Sequence, residues 1–382
     1  MKAPKIAVVS LILIFALSSS MVFAQATPAK PQEPKKPEAK QPPKEMLPKE
    51  MKAIMLEGLA TRRGRQDIPF TIFKSLVFPV PGGMQAVVFF KAKNADLGYG
   101  APLAPAPAPK NKPVQPAATA AVLETRLAVA IEFFQADEAG ALKVVRDTGF
   151  PVALQTESAG YDANKEEWYT VGYPLPSGKY TVAMLLAPLD AKKATPDLKK
   201  VGVSYCDLTL PEPKDYSNAL ETTEILLLRS MEQTTALERR PTIHKDSFML
   251  SVLKMVPNID NVVTVEDHSQ IEVFFFVLGA KPKEEPPAAP QVQPAQKPET
   301  PKYEIVINYQ VKKDDGSTVI RWPEQNYPSP GIDQPLPLKR TLKTGEKTEV
   351  KDLDPGKYIL VIKIKDKVSG FTAEKKVPFE VK

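Results

Sequence analysis

Any reaction run by this chain would have to use two histidines, one cysteine and scattered acids, and none of them stands at a spacing that chemistry uses. His244 follows Arg239-Arg240-Pro241, and His268 lies in Glu266-Asp267-His268-Ser269; neither has a second His or Cys at metal-ligand spacing. Cys206 alternates with Tyr205 in Val203-Ser204-Tyr205-Cys206-Asp207-Leu208, so it reads as a strand residue, unable to form a disulfide within the chain. No nucleophile-elbow pattern accompanies a serine. Gly82-Gly83 belongs to a Pro-Gly-Gly turn, and the glycine patterns that cradle phosphates are absent. Asp162-Ala163-Asn164-Lys165-Glu166 alternates oxygen ligands as a calcium loop does, but lacks its glycine and distal glutamate and carries Lys165, so it reads as a solvated turn. Glu166-Glu167 reads as surface charge, since a glycosidase holds two acids roughly 5–10 Å apart in a cleft. No catalytic residue, metal or cofactor is assigned.

The aromatic residues offer one binding chemistry. Tyr161, Trp168, Tyr169 and Tyr173 cluster in one stretch, and Trp322 and Tyr327 lie in another. On an exposed sheet face such rings stack on sugars, which makes Trp168, Tyr169, Tyr173, Trp322 and Tyr327 the candidate ligand platform. The competing reading is core, because Ile320 and Trp322 fall on one strand face and a mid-sandwich Trp is usually buried.

Two related stretches follow these clusters: Leu175-Pro176-Ser177-Gly178-Lys179-Tyr180 and Leu353-Asp354-Pro355-Gly356-Lys357-Tyr358. Pro355 fixes φ and Gly178 and Gly356 tolerate positive φ, so each stretch turns sharply. Beyond the second turn Tyr358, Leu360, Ile362 and Ile364 alternate with Lys363 and Lys365, the period of a strand with one buried face. Tyr180 and Tyr358 stand where immunoglobulin and fibronectin III sandwiches place a tyrosine corner, with the ring in the core and the hydroxyl tied to upstream backbone.

The two halves share more than this turn. Phe70/Phe248 and Gly178/Gly356 are each 178 residues apart, and Gly140/Gly316 are 176 apart. Each half has an apolar run (Ala86-Val87-Val88-Phe89-Phe90; Val273-Phe274-Phe275-Phe276), a proline-rich tract, and a second strand pattern. The expected fold is all-β: two tandem immunoglobulin/fibronectin III-like antiparallel β-sandwiches, duplicated from one unit, with disordered proline-rich insertions. The expected layout is a signal peptide at 1–24, a disordered Pro/Lys/Glu spacer at 25–65, and a first sandwich at 66–213 with a loop at 101–119. A connector at 214–245, with a strand near Glu224–Arg229, and a second sandwich at 246–382 with a loop at 281–301 complete it.

Lys2 and Lys5, the apolar Ile6–Leu17 and the small-x-small Val22-Phe23-Ala24 form a secretion signal, with an uncleaved anchor as the alternative. The +6 net charge is spread over a Lys/Glu mixture, which suits solubility and weak attraction to anionic surfaces and excludes a nucleic-acid groove.

Leu220-Glu221-Thr222-Thr223-Glu224-Ile225, Met255-Val256-Pro257-Asn258, Ile271-Glu272-Val273-Phe274-Phe275, the Asp-Asp-Gly turn and Leu353–Tyr358 occur in that order. This order resembles the β-rich region of secreted bacterial GWxTD-domain proteins over about 220–382, with a fainter echo at 66–213. The motif that names the family is absent, and the resemblance implies export and a sandwich fold without an active site. The functional expectation is an exported, non-enzymatic binding or scaffold protein of the bacterial envelope, periplasmic or secreted. It would meet protein partners and carry no stable membrane span in its mature form. A glycan-binding protein is the alternative and a hydrolase the third reading.

Overall fold

The computed structural model describes residues 47–80, 83–100, 122–190, 195–235, 238, 241–264, 270–283, 301–344 and 347–382. The expected leader and the proline-rich stretches 101–119 and 284–300 therefore lie outside the described residues, as does His268.

In chain order the first half contains α1 (Lys49–Glu57), β1 (Phe70–Val80), β2 (Gly83–Lys93), α2 (Asn94–Leu97), β3 (Val122–Ala136), β4 (Leu142–Glu157), β5 (Glu166–Leu175), β6 (Gly178–Pro188) and β7 (Gly202–Leu210). Next come the short strands β8 (Glu221–Thr222), β9 (Leu226–Gln233), β10 (Ile243–Lys245), β11 (Phe248–Leu250), β12 (Leu253–Pro257) and β13 (Val262–Val263). The chain ends with β14 (Gln270–Leu278), β15 (Ile305–Lys312), β16 (Thr318–Arg321), β17 (Gln325–Tyr327), β18 (Gly331–Pro337), β19 (Lys339–Thr344), β20 (Lys347–Asp352), β21 (Gly356–Asp366) and β22 (Thr372–Val381). The fold is all-β, and among the described residues the strand pairings are antiparallel apart from the parallel β13–β22 pair.

Sheet β1-β2-β5-β10 faces sheet β4-β3-β6-β7 across a core that includes Val88, Phe90, Val129, Ile131, Phe133, Tyr180 and Val182. Sheet β11-β12-β9-β14-β18 faces sheet β13-β22-β21-β15-β16 across a second core with Val273, Phe275, Ile307, Tyr309, Tyr358 and Leu360. One strand order occurs twice: β1-β2-β5 with β4-β3-β6-β7, and β9-β14-β18 with β16-β15-β21-β22. The partner of β1 in this comparison is β9, which lies beside β14, whereas Phe248 sits on the outlying β11. The equal spacing of Phe70 and Phe248 is thus not a structural correspondence.

Both glycine turns adopt positive φ, 151° at Gly178 and 153° at Gly356, which a side chain would strain. Past each turn a buried tyrosine reaches back four residues. Tyr180 Oη donates to the Pro176 carbonyl at 2.9 Å, and Tyr358 Oη to the Asp354 carbonyl, just before Pro355, at 2.8 Å.

Two expected boundaries are corrected. The spacer at 25–65 does not extend through 65 as disordered chain, because α1 lays Met51 and Met55 on the outer face of the β3/β6/β7 sheet. Ala128, Ala130, Ala183 and Ala187 keep that face low enough for a helix backbone to approach, and Tyr205 Oη donates to the Met55 carbonyl at 2.6 Å. The strand expected near Glu224–Arg229 is β9, but the segment 214–245 is no separate connector: β8 and β9 belong to the second sandwich, and β10, with His244, extends the first by pairing with β5. Among the described residues no helix is long and apolar enough to cross a membrane.

Candidate functional site

The candidate site is the seam between the two sandwiches. Along β2, Ala86, Val88 and Phe90 enter the first core, while Val87 and Phe89 emerge on the other side of the sheet. Along β14, Val273 and Phe275 enter the second core and Phe274 points away from it. The outward rows meet, with Leu76 and Phe78 from β1, Leu226 and Leu228 from β9, and Phe248 from β11. Phe78 stacks on Phe248 with centroids 5.6 Å apart and planes 10° apart, and tilts against Phe274 at 6.1 Å. Strands buried on both faces need apolar residues at successive positions, which accounts for both unbroken runs.

Polar groups fix the seam's register. Thr170 Oγ1 donates to the Ser247 carbonyl at 2.6 Å, and Gln85 Nε2 to the Met249 carbonyl at 2.9 Å. The chain crosses from β10 to β11 at Asp246, which takes φ 52° to turn between sheets. Beside it, Glu167 is bridged by Lys245 and, at 3.0 Å, by Lys165. Burial pushes the Glu167 carboxyl up, but the two lysines outweigh it and hold the group below its ordinary value. Asp246, by contrast, is raised by burial.

The described chain also closes on itself at the base of each proline-rich stretch. Gly100 and Glu124 exchange backbone hydrogen bonds at 3.1 and 3.2 Å, and Lys283 N donates to the Lys302 carbonyl at 2.8 Å. The second closure is pinned by Asp366, whose fully buried carboxylate accepts from Lys281 N at 2.9 Å, Val368 N at 3.0 Å and Ser369 Oγ at 2.6 Å. Burial raises Asp366, and these donors more than reverse it, leaving the carboxyl lowered.

The aromatic candidates do not form one exposed strip. Trp168 faces the seam and stacks on Phe89 at 5.7 Å. Tyr169, wholly buried, stacks on Phe90 at 5.4 Å and shares a 3.1 Å hydrogen bond with Tyr99. Tyr173 tilts against Phe133 at 5.0 Å and accepts from Arg146 Nε at 3.1 Å. Trp322 and Tyr327 lie half-buried on the second core, where Tyr327 Oη donates to Gln334 Oε1 at 2.6 Å.

Among the described residues, the groups able to do chemistry are dispersed. Burial, then the Asp207 charge, pushes the Cys206 thiol up to about 12, so it is not a thiolate at neutral pH. His244 Nε2 meets the Glu238 carboxylate at 2.9 Å. Asp162 Oδ1 accepts from Asn164 N at 2.9 Å, and the Asp162 and Ala163 carbonyls accept from Asn94 Nδ2 and Ala95 N, so the Asp162–Glu166 turn spends its oxygens on the chain itself. Among the described residues no group of His, Cys, Asp or Glu is placed to hold a metal. A cavity of about 10 Å³ between the first pair of sheets is lined by Val88, Ile131, Phe133 and other apolar side chains, room for one water and no ligand.

One acid pair has no counterpart in the sequence pattern. Glu272 on β14 and Asp333 on β18 sit diagonally across the strands, since Phe274 pairs with Asp333 and Glu272 with Pro335. Burial, and then the charge of Asp333, pushes Glu272 up to about 7. Asp333 is raised as well, by burial, with the hydrogen bond from Glu272 working against the rise. Only the strand register reveals this pair.

No family model matches the chain, and no curated protein matches it.

Proposed function

We propose that this chain is an exported, non-enzymatic scaffold of the bacterial cell envelope that acts through protein contacts. Its two sandwiches follow an immunoglobulin/fibronectin III-like plan and descend from one duplicated unit. The repeated strand order and the paired tyrosine ties support the duplication. The observation that carries the scaffold reading is the seam, which joins the sandwiches through packed aromatic rings and so holds whatever each displays at a fixed separation. The closures at Gly100/Glu124 and Lys283/Lys302 support a role for the proline-rich sequences between them as displayed ligands for aromatic-lined grooves. A sugar platform would need rings in one exposed row, and the candidates face the seam and two separate cores.

The test is a cross-linked pull-down from intact envelopes, comparing the full chain with a variant in which residues 101–116 and 284–300 are replaced by Gly/Ser sequence of equal length. The scaffold reading expects specific partners to be lost while the melting temperature stays within a few degrees. An unchanged set of partners, or turnover of a substrate by the purified chain, would defeat it.

A further inference from the structure

We propose that the outer face of sheet β16-β15-β21-β22 rests on an anionic lipid headgroup surface. The register places Lys312, Arg321, Lys357, Lys363, Lys365 and Lys376 on this one face, opposed there by Glu374 and Glu380. Between the cations the floor is Val306, Gln310 and Val361, at 5%, 7% and 2% exposure, and no described helix lies against these strands as α1 does against β6. Long lysine and arginine stems flanking these positions explain the cover, with the charged ends carried outward into water.

The first sandwich shows that this surface is a choice made by sequence. Its equivalent face is mostly apolar, with Glu132 buried on it opposite Ala183, and lies under α1. Ala183, Leu185 and Ala187 on β6 occupy the places of Val361, Lys363 and Lys365 on β21, each 178 residues on, counted from the matching glycine turns. Leu and Ala receive a helix on the first sheet; lysines at the same places leave the second sheet's outer face cationic, with no described helix against it.

The spread of the charges decides the occupant. The cations lie on four strands, roughly 14 Å across at the usual strand spacing, wider than one extended acidic segment pairs with. A surface of many anions neutralises them together, since charges on neighbouring strands lie within a Debye length of about 8–10 Å. The pairs already on the face are loose. Lys363 and Lys376 each stand 3.6 Å from the Glu374 carboxylate, at 53% and 65% side-chain exposure, and can turn to phosphate. The rim adds Lys313 beside Asp314 and Asp315 at one end, and Lys367 with the Lys283–Glu304 pair at the other, without changing the sign.

The experiment is co-sedimentation of the full chain with vesicles of phosphatidylcholine alone or with phosphatidylglycerol added. Wild type is compared with a triple variant carrying Lys363→Glu, Lys365→Glu and Lys376→Glu, and with the corresponding triple Lys→Gln variant. Any contribution from the apolar N-terminal sequence is common to all. The proposal expects binding that requires phosphatidylglycerol and weakens with salt. Each lost charge should cost about fivefold, so the Lys→Gln triple should fall about a hundredfold and the Lys→Glu triple further. The Gln variant introduces no repulsion with Glu374, so it keeps the test interpretable if the Glu variant misfolds. Equal binding by wild type and the Gln variant, indifference to lipid charge, or binding to polyglutamate with none to vesicles would overturn it, the last in favour of an acidic protein partner.

Discussion

Truncating Phe78 to alanine probes the seam without touching either sandwich core. The ring is wholly buried, stacked on Phe248 at 5.6 Å and within 6.1 and 6.3 Å of Phe274 and Phe276. It touches rings of the second sandwich although it belongs to the first. Removing such a side chain costs about 3–5 kcal/mol from lost burial and the cavity left behind, and Phe274 and Phe276, held by their own strands, limit collapse of the hole. For a cooperative unit of this size, at roughly 2–4 °C per kcal/mol, the loss amounts to a drop in melting temperature of order 10 °C. If the seam is a third core, both sandwiches report that shift, and urea unfolding followed by Trp168 fluorescence in the seam and Trp322 fluorescence in the second sandwich stays coincident. A cost under about 1 kcal/mol for Phe78→Ala, or destabilisation of the first sandwich alone while the second unfolds as before, would rule out a third core.

Tyr358→Phe should cost about 0.5–1.5 kcal/mol by deleting the bond to the Asp354 carbonyl, and Tyr358→Ala several times more as a buried ring is lost; chemical denaturation separates the two. Met55→Asp should expose the alanine-floored sheet by expelling α1, seen as dye binding to apolar surface and a stability loss of about 2–5 kcal/mol, because Met55 is wholly buried there. Glu272 has a folded value of about 7, above its ordinary 4.5. Its contribution to stability is therefore full below about pH 4.5 and is lost as pH rises towards 7. Glu272→Gln should match wild type near pH 4 and be more stable than wild type at pH 8; the reverse order at pH 8 would discard the pairing.

Much of the architecture is written locally. The alternation of Tyr358, Leu360, Ile362 and Ile364, the proline and glycine of the turns and the position of the two tyrosines depend on neighbours in sequence, so strands and corners are readable there. The seam is not local. Val87 and Phe89 look the same in sequence whether they face solvent, a membrane or another sheet, and only the unbroken run hints that both faces of β2 are covered. Helix α1 hides for another reason: its few apolar residues follow a Pro/Lys/Glu tract, and its stability comes from the sheet beneath Met51 and Met55 more than from its own sequence. Inside 214–245 the apolar run that becomes β9 is readable, whereas β8 and β10 are two or three residues long and take their partners from β14 and β5. Among candidate site residues, the aromatic clusters were legible as clusters, but which way each ring points follows from a register that pairs Phe90 with Tyr169 across two strands. The Glu272–Asp333 pair joins residues on β14 and β18, far apart in the chain, and has no sequence signal at all.

The claim on which the scaffold rests is that the sandwiches are fused and do not swing. Spin labels at Ala153 on β4 and Lys376 on β22, both exposed, in a chain with Cys206→Ser, give the distance between them by pulsed electron resonance. A fused seam predicts one narrow distance distribution, broadened by Phe78→Ala. A broad or two-peaked distribution in the unaltered seam would contradict it.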